Sequence, residues 1–208
     1  MEPTDDADQA SGRSPGFPKN RIEALTDGIF AIAMTLLVLS LDVPAGVNNP
    51  SDAAVMAMLT NLGPALYHYF LAFFILASFW IAHHVQMHRL RHIDSRFLWI
   101  NIVALLFVTL VPFSTSLVGD YPDETFAAVA FEINLLILGL LFAAQWRYAT
   151  QNGRLVHPGT DMQRGNLRVM VVPAVSVIAI LLALAGMTWS TAAYALIPLV
   201  MHFLPRRR

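Results

Sequence analysis

Residues Arg21 to Pro44 read RIEALTDGIFAIAMTLLVLSLDVP. Arg21, Glu23 and Asp27 share the opening turns, and the rest is apolar as far as Leu41 apart from Thr35 and Ser40. A helix crossing about 30 Å of hydrocarbon needs about 20 mostly apolar residues, so the stretch reads as a membrane span. A carboxylate inside a span costs a few kcal/mol and is normally turned toward protein and given a partner. Two readings of Asp27 follow. It anchors this helix to its own bundle, or it is a proton or cation site.

The composition agrees with a membrane protein. Of 208 residues, 56% are hydrophobic and 13% charged, against roughly 25% charged in soluble domains. A net charge of −1 gives no global basic field for nucleic acid. The absence of cysteine excludes disulfides, thiol catalysis and thiolate metal sites. Residues 1–20 are polar and rich in acid, Pro and Gly, which predicts a disordered tail. They contain no secretory signal. No nucleophile–base set, Gly-rich phosphate loop or cofactor fingerprint is present, so neither an enzyme nor a cofactor is expected.

Six spans are expected, about 21–41, 64–84, 97–118, 126–148, 167–187 and 189–204, with a tight hairpin joining the last two. The fold class is therefore an all-α integral membrane protein. Residues 21–204 form its membrane domain, between the tail 1–20 and a basic end 205–208. With six spans, all thirteen Lys and Arg residues fall on one side. The loops DVPAGVNNPSD and GDYPDE on the other side carry only acids. The positive-inside rule then puts both termini in the cytoplasm. The opening motif does not recur, so a pore on a symmetry axis would need several chains.

At about 100° per residue, Leu25, Gly28, Thr35, Leu36 and Leu39 fall within about 60° of Ile32, while Asp27, Phe30, Met34 and Leu41 fall opposite. Taken alone, the Ile32 face fits lipid contact or helix packing, since Thr is common at helix contacts.

Arg21-x3-Leu25-Thr26-Asp27 followed by GIFAIAMTLLVL, then FWIAHH at 79–84, LWIN and LVPFSTSLVGDY, resembles the transmembrane protein 175 family of potassium channels. Leu25 and Thr26 stand where the family pattern has Phe and Ser. The resemblance covers the first three spans by motif and the last three only by hydropathy. It implies a single-repeat bacterial member in the inner membrane, assembled as a homotetramer whose first helices line a central pore without a TVGYG filter. It assigns Ile32, Leu36 and Leu39 to the constriction and Thr35 to the selecting hydroxyl, with permeant potassium near Thr35. These residues share the face that the helical wheel groups around Ile32. It also implies that Arg21, Thr26 and Asp27 hold the pore helix against Trp80, His83 and Asn101.

Other features carry alternatives. His84, His88 and His92 recur every four residues, a spacing that suits zinc. No carboxylate or cysteine joins them, so a solvated helix end is expected and no metal. Glu132 and Asn134 lie within span four, and Glu132 reads as a proton site, a hydrogen-bonded interior acid or a residue near the outer interface. Arg206 to Arg208 serve topology or bind anionic lipid. The rival function is a proton-coupled transporter relaying through Asp27, His83 and Glu132, although transporters commonly carry internal repeats and this chain shows none. A third reading is a structural membrane protein without transport.

Overall fold

The computed structural model describes residues 18–41, 51–197 and 200. Its helices are α1 (Lys19–Leu36), α2 (Asp52–Asn61), α3 (Gly63–His88), α4 (Ser95–Asp120), α5 (Thr125–Thr150) and α6 (Met162–Leu184). Leu37–Ser40 continues α1 as a 3₁₀ turn, and Ser190–Ala195 is a second 3₁₀ segment. Among the described residues, five helices are long and apolar enough to cross a membrane: α1 with its 3₁₀ extension, α3, α4, α5 and α6.

The expected sixth span at 189–204 lies only partly within the described residues. Its described beginning is the 3₁₀ segment, and residues 198–199 and 201–204 lie outside the described residues. A turn follows α6 at the position expected for the hairpin. Gly186 stops α6 in the left-handed region at φ 83°, a conformation that glycine adopts without steric cost. Residues 1–17 and the basic end 205–208 also lie outside the described residues. The stretch between α1 and α3 holds α2, whose N-cap Ser51 accepts from the Ala54 amide at 3.3 Å. No residue of α2 is buried. α6 begins well before its apolar core because Asp161 caps it, accepting from the Arg164 amide at 3.1 Å.

α5 is the centre of the bundle, packing most extensively on α6 and α4. Phe30 of α1, Leu76 of α3, Val108 of α4, Phe131 and Leu138 of α5 and Ala179 of α6 meet in one core. At the α5–α6 contact, a Cβ on Gly139 would stand 2.9 Å from Pro173 Cδ, and one on Gly165 would fall on the Trp146 indole. Only glycine permits these approaches.

Every described Lys and Arg lies at one end of the bundle, where α1, α4 and α6 begin and α3 and α5 finish. A second core there gathers Ile22, Met87, Leu90, Phe97 and Leu155. Leu90 and Val156 form an antiparallel bridge. The Arg91 amide donates to Leu155 O at 2.8 Å, the His157 amide to Arg89 O at 2.9 Å, and Lys19 Nζ to Leu90 O at 3.2 Å. The two basic-end loops are thus tied to each other and to the start of α1.

Asp94 is the polar centre of this end. It caps α4 by accepting from the Phe97 amide at 2.9 Å. It also accepts from the Tyr148 hydroxyl at 2.6 Å and pairs with Arg154 at 3.7 Å. Burial presses its carboxyl upward, but the Tyr148 hydroxyl, the Phe97 amide and the Arg154 and His92 charges outweigh that and hold it below the usual carboxylate range. A depressed folded pKa stabilises the fold above the unfolded value, and the gain is lost as pH falls through the folded one. Wild type should therefore lose thermal stability as pH drops below about 4. Asp94→Asn, which keeps the capping oxygen, should be less stable than wild type at neutral pH and show a flatter acid limb. Thermal unfolding in detergent across pH checks this; parallel curves would remove Asp94 from the account.

Candidate functional site

The inward face of α1 is set by Ile22, Thr26, Phe30, Ala33 and Leu37, all buried. Ile29 and Met34 pack partly against the same core, and the opposite side of the helix faces away from the chain's own bundle. Ile32 is 59% exposed, Leu36 43% and Leu39 72%, and Gly28 and Thr35 are exposed beside them. The four pore-face residues named from sequence thus lie together on one uncovered face. Leu39 stands in the 3₁₀ turn rather than the α-helix. At three residues per turn it eclipses Leu36, so the change of helix type keeps it on that face.

The Thr35 hydroxyl donates to Ile32 O at 2.8 Å. Its proton therefore points back along the helix, and the oxygen's lone pairs remain for an outside partner.

Asn101 of α4 is the hub behind this helix. Its Nδ2 donates to Thr26 Oγ1 at 3.1 Å. Its Oδ1 accepts from Gln145 Nε2 at 2.9 Å and lies 3.0 Å from His83 Nε2. An amide oxygen only accepts, so His83 carries its proton on Nε2 in this arrangement. All four side chains are buried. One carboxamide thus joins α1, α3, α4 and α5.

Two members of the expected anchoring set behave differently. Asp27 is exposed, and among the described residues its one hydrogen-bond partner is Trp80 Nε1 at 2.8 Å. It was expected to meet His83 and Asn101 as well. It lies at the edge of the inward face, one residue beyond Thr26, and so reaches the rim of α3 instead of the buried hub. The Arg21 side chain is exposed and makes no hydrogen bond or ion pair among the described residues. Gln145 was not anticipated. No motif marks it, and only the packing of α5 on α4 brings it to Asn101.

The histidine row is broken. Trp80 stacks on His84 with ring centroids 6.0 Å apart, and His84 Nε2 lies 3.1 Å from His88 Nε2. α3 stops at His88, so His92 does not share that face. Among the described residues no group of three metal-type ligands exists. Glu132 is fully buried, about two turns into α5 from the acidic end, and neither carboxyl oxygen has a hydrogen-bond partner among the described residues. Among the described residues no direct hydrogen bond links Asp27, His83 and Glu132. Asn134 donates to Ser114 at 3.2 Å.

Residues 21–112 match the family model for the endosomal/lysosomal potassium channel TMEM175. A potassium channel of Streptomyces collinus is 29% identical over 145 residues, 68% of this chain and 69% of that protein. A potassium channel of Chamaesiphon minutus is 32% identical over 144 residues, 68% of this chain and 70% of that protein. The fold also matches the crystal structure of a lysosomal potassium-selective channel TMEM175 homolog from Chamaesiphon minutus. That match has a TM-score of 0.78 at 25% identity and covers 90% of this chain and 98% of that one.

The hub predicts a graded loss. Asn101→Leu would leave the His83, Gln145 and Thr26 groups short of a partner, at about 1–3 kcal/mol for each buried orphan. Asn101→Asp, which keeps one acceptor geometry, should be less damaging if the acid is protonated. Urea unfolding or thermal melts in detergent read both variants. An Asn101→Leu protein as stable as wild type would show that the hub does not hold α1.

Proposed function

The chain belongs to the TMEM175 family, and on that footing we propose that it is a potassium-selective channel whose conduction path is lined by the outward face of α1. It is a multi-pass membrane channel and not an enzyme. The proposed assembly is a homotetramer around a central axis, in a bacterial inner membrane, with both termini in the cytoplasm and the membrane domain spanning 21–204. Potassium is the permeant ion, and no cofactor is needed.

One observation carries the reading. Half of α1 is uncovered by its own chain, and that half presents Gly28 and Thr35 among leucines and isoleucine, with Asp27 at its edge. Against lipid, an exposed carboxylate at this position would cost several kcal/mol. Protein or water on this face removes the cost. Copies of α1 around an axis supply both, with neighbouring helices beside Asp27 and an aqueous path along Ile32, Thr35, Leu36 and Leu39.

Selection then rests on dehydration. Apolar rings at Ile32, Leu36 and Leu39 cannot replace an ion's water with oxygens, but they gate by width and dewetting. Potassium releases water more readily than sodium, so a narrow apolar stretch penalises sodium more. The Thr35 hydroxyls form the one polar ring in that stretch and meet a partly dehydrated potassium. Discrimination by this route is weaker than in a carbonyl filter. Thr26, Asp27, Trp80, His83 and Asn101 serve to hold the pore helix, and Arg21 acts at its cytoplasmic mouth.

The test is the reversal potential under bi-ionic potassium and sodium in planar bilayers. Thr35→Val keeps the shape and removes the hydroxyl. If the ring contributes about 1 kcal/mol, the permeability ratio should fall about fivefold. Ile32→Asn should wet the constriction, raise current and reduce discrimination further. An unchanged potential in both variants would assign this face to lipid contact. Saturable proton-coupled flux without discrete current steps would indicate the transporter.

A further inference from the structure

A cavity of about 600 Å³ opens between α3, α5 and α6 at the basic end of the bundle, and no residue of α1 lines it. Its mouth carries Arg89, Arg164 and Arg168 with a single acid, Asp161. Its depth is apolar, walled by Phe79, Val85, Phe142, Val169 and Val172. Charge and apolar surface are therefore graded along one groove, from loop level into the membrane-crossing part of the helices.

Two of the three arginines have no ion-pair or side-chain hydrogen-bond partner among the described residues. Arg164 pairs with Asp161 at 3.1 Å, while the Arg89 and Arg168 side chains have no hydrogen bond or ion pair among the described residues. Arg89 lies over the Trp146 ring at 5.4 Å, which fixes its guanidinium at the cavity wall. Burial and repulsion from Arg168 push the Arg89 guanidinium below its ordinary range, against the pull of Asp161. Three guanidinia against one carboxylate leave the mouth with an excess of positive charge.

Two further donors are unused. Gln86 and Trp146 are almost wholly buried and line the same cavity, and Gln86 Nε2 and Trp146 Nε1 have no partner among the described residues. A buried donor without an acceptor is unfavourable. The wall has excess cation, donors without a partner among the described residues and an apolar floor, a combination that suits an acceptor-rich anion with a hydrocarbon tail.

We propose that this groove binds one anionic glycerophospholipid. Its phosphate sits among Arg89, Arg164 and Arg168, and an acyl chain lies along the α3–α6 cleft. The reasons for this occupant over a soluble anion are the apolar depth of the groove and its opening at the end of the spans, where headgroups lie. Basic pockets between membrane helices are suited to such headgroups. The site is separate from the conduction path and does not depend on which ion the channel carries.

Native mass spectrometry of the full chain, delipidated in detergent and titrated with phosphatidylglycerol or with phosphatidylcholine of the same chains, reads occupancy without any current. Wild type should retain phosphatidylglycerol adducts at least tenfold more strongly than phosphatidylcholine. The double variant Arg164→Gln with Arg168→Gln should lose that preference, at about fivefold per arginine. Arg96→Gln with Arg147→Gln removes two exposed charges at the same end but outside the groove, and should change nothing. Val85→Trp, which fills the apolar part, should weaken both lipids. Inorganic phosphate should displace phosphatidylglycerol only at far higher concentration. Equal retention of the two lipids would overturn the proposal, as would equal loss in both arginine pairs. Displacement by phosphate at matched concentration would give the groove to a soluble anion. The absence of any adduct would mean that the groove is closed by the protein itself.

Discussion

The Asn101 carboxamide is the interaction on which the rest of the structure depends. Inside a bilayer there is no water to rescue an unmade hydrogen bond, so buried polar groups must satisfy one another. Asn101 donates to Thr26 and accepts from His83 and Gln145. Those four groups fix the azimuth of α1 about its own axis. Thr26 turned inward means Phe30, Ala33 and Leu37 turned inward, since they repeat on the same face. Ile32, Thr35, Leu36 and Leu39 are then turned out. The outward face, the proposed pore lining, is thus set by a polar contact on the opposite side of the helix.

Asp27 adds a second constraint on the same helix. Lying just outside the hub, it keeps contact with its own chain through Trp80 yet stays exposed. A carboxylate in that position makes the lone chain incomplete as a membrane object. The polar edge and the apolar face of α1 are both explained by neighbours around an axis, whereas lipid suits only the apolar face.

Much of this was legible in the sequence. The hydropathy pattern located the five described spans, and the one-sided basic residues matched the end at which they gather. The helical wheel placed Ile32, Thr35, Leu36 and Leu39 together because a period near 3.6 is a property of the backbone alone. The motif resemblance marked Thr26, His83 and Asn101 as polar and important. What it missed depended on azimuth and termination. Asp27 lies one residue from Thr26, about 100° around the helix, which is enough to move it from hub to rim. His92 left the histidine face because α3 ends at His88, and Gln145 became a hub member only through the packing of α5 on α4. The α3–α6 groove joins residues from three helices, a juxtaposition that no single stretch of the chain reveals.

The most direct measurement uses the natural absence of cysteine. A single cysteine placed at Leu36 can be treated with a charged, water-soluble thiol reagent during single-channel recording, with one at Phe74, an exposed apolar residue of α3, as the reference. The account predicts stepwise, irreversible loss of potassium current for Leu36→Cys and no change for Phe74→Cys. Undiminished current through a Leu36→Cys channel shown by mass to be modified would contradict it, because that face could not then line the path.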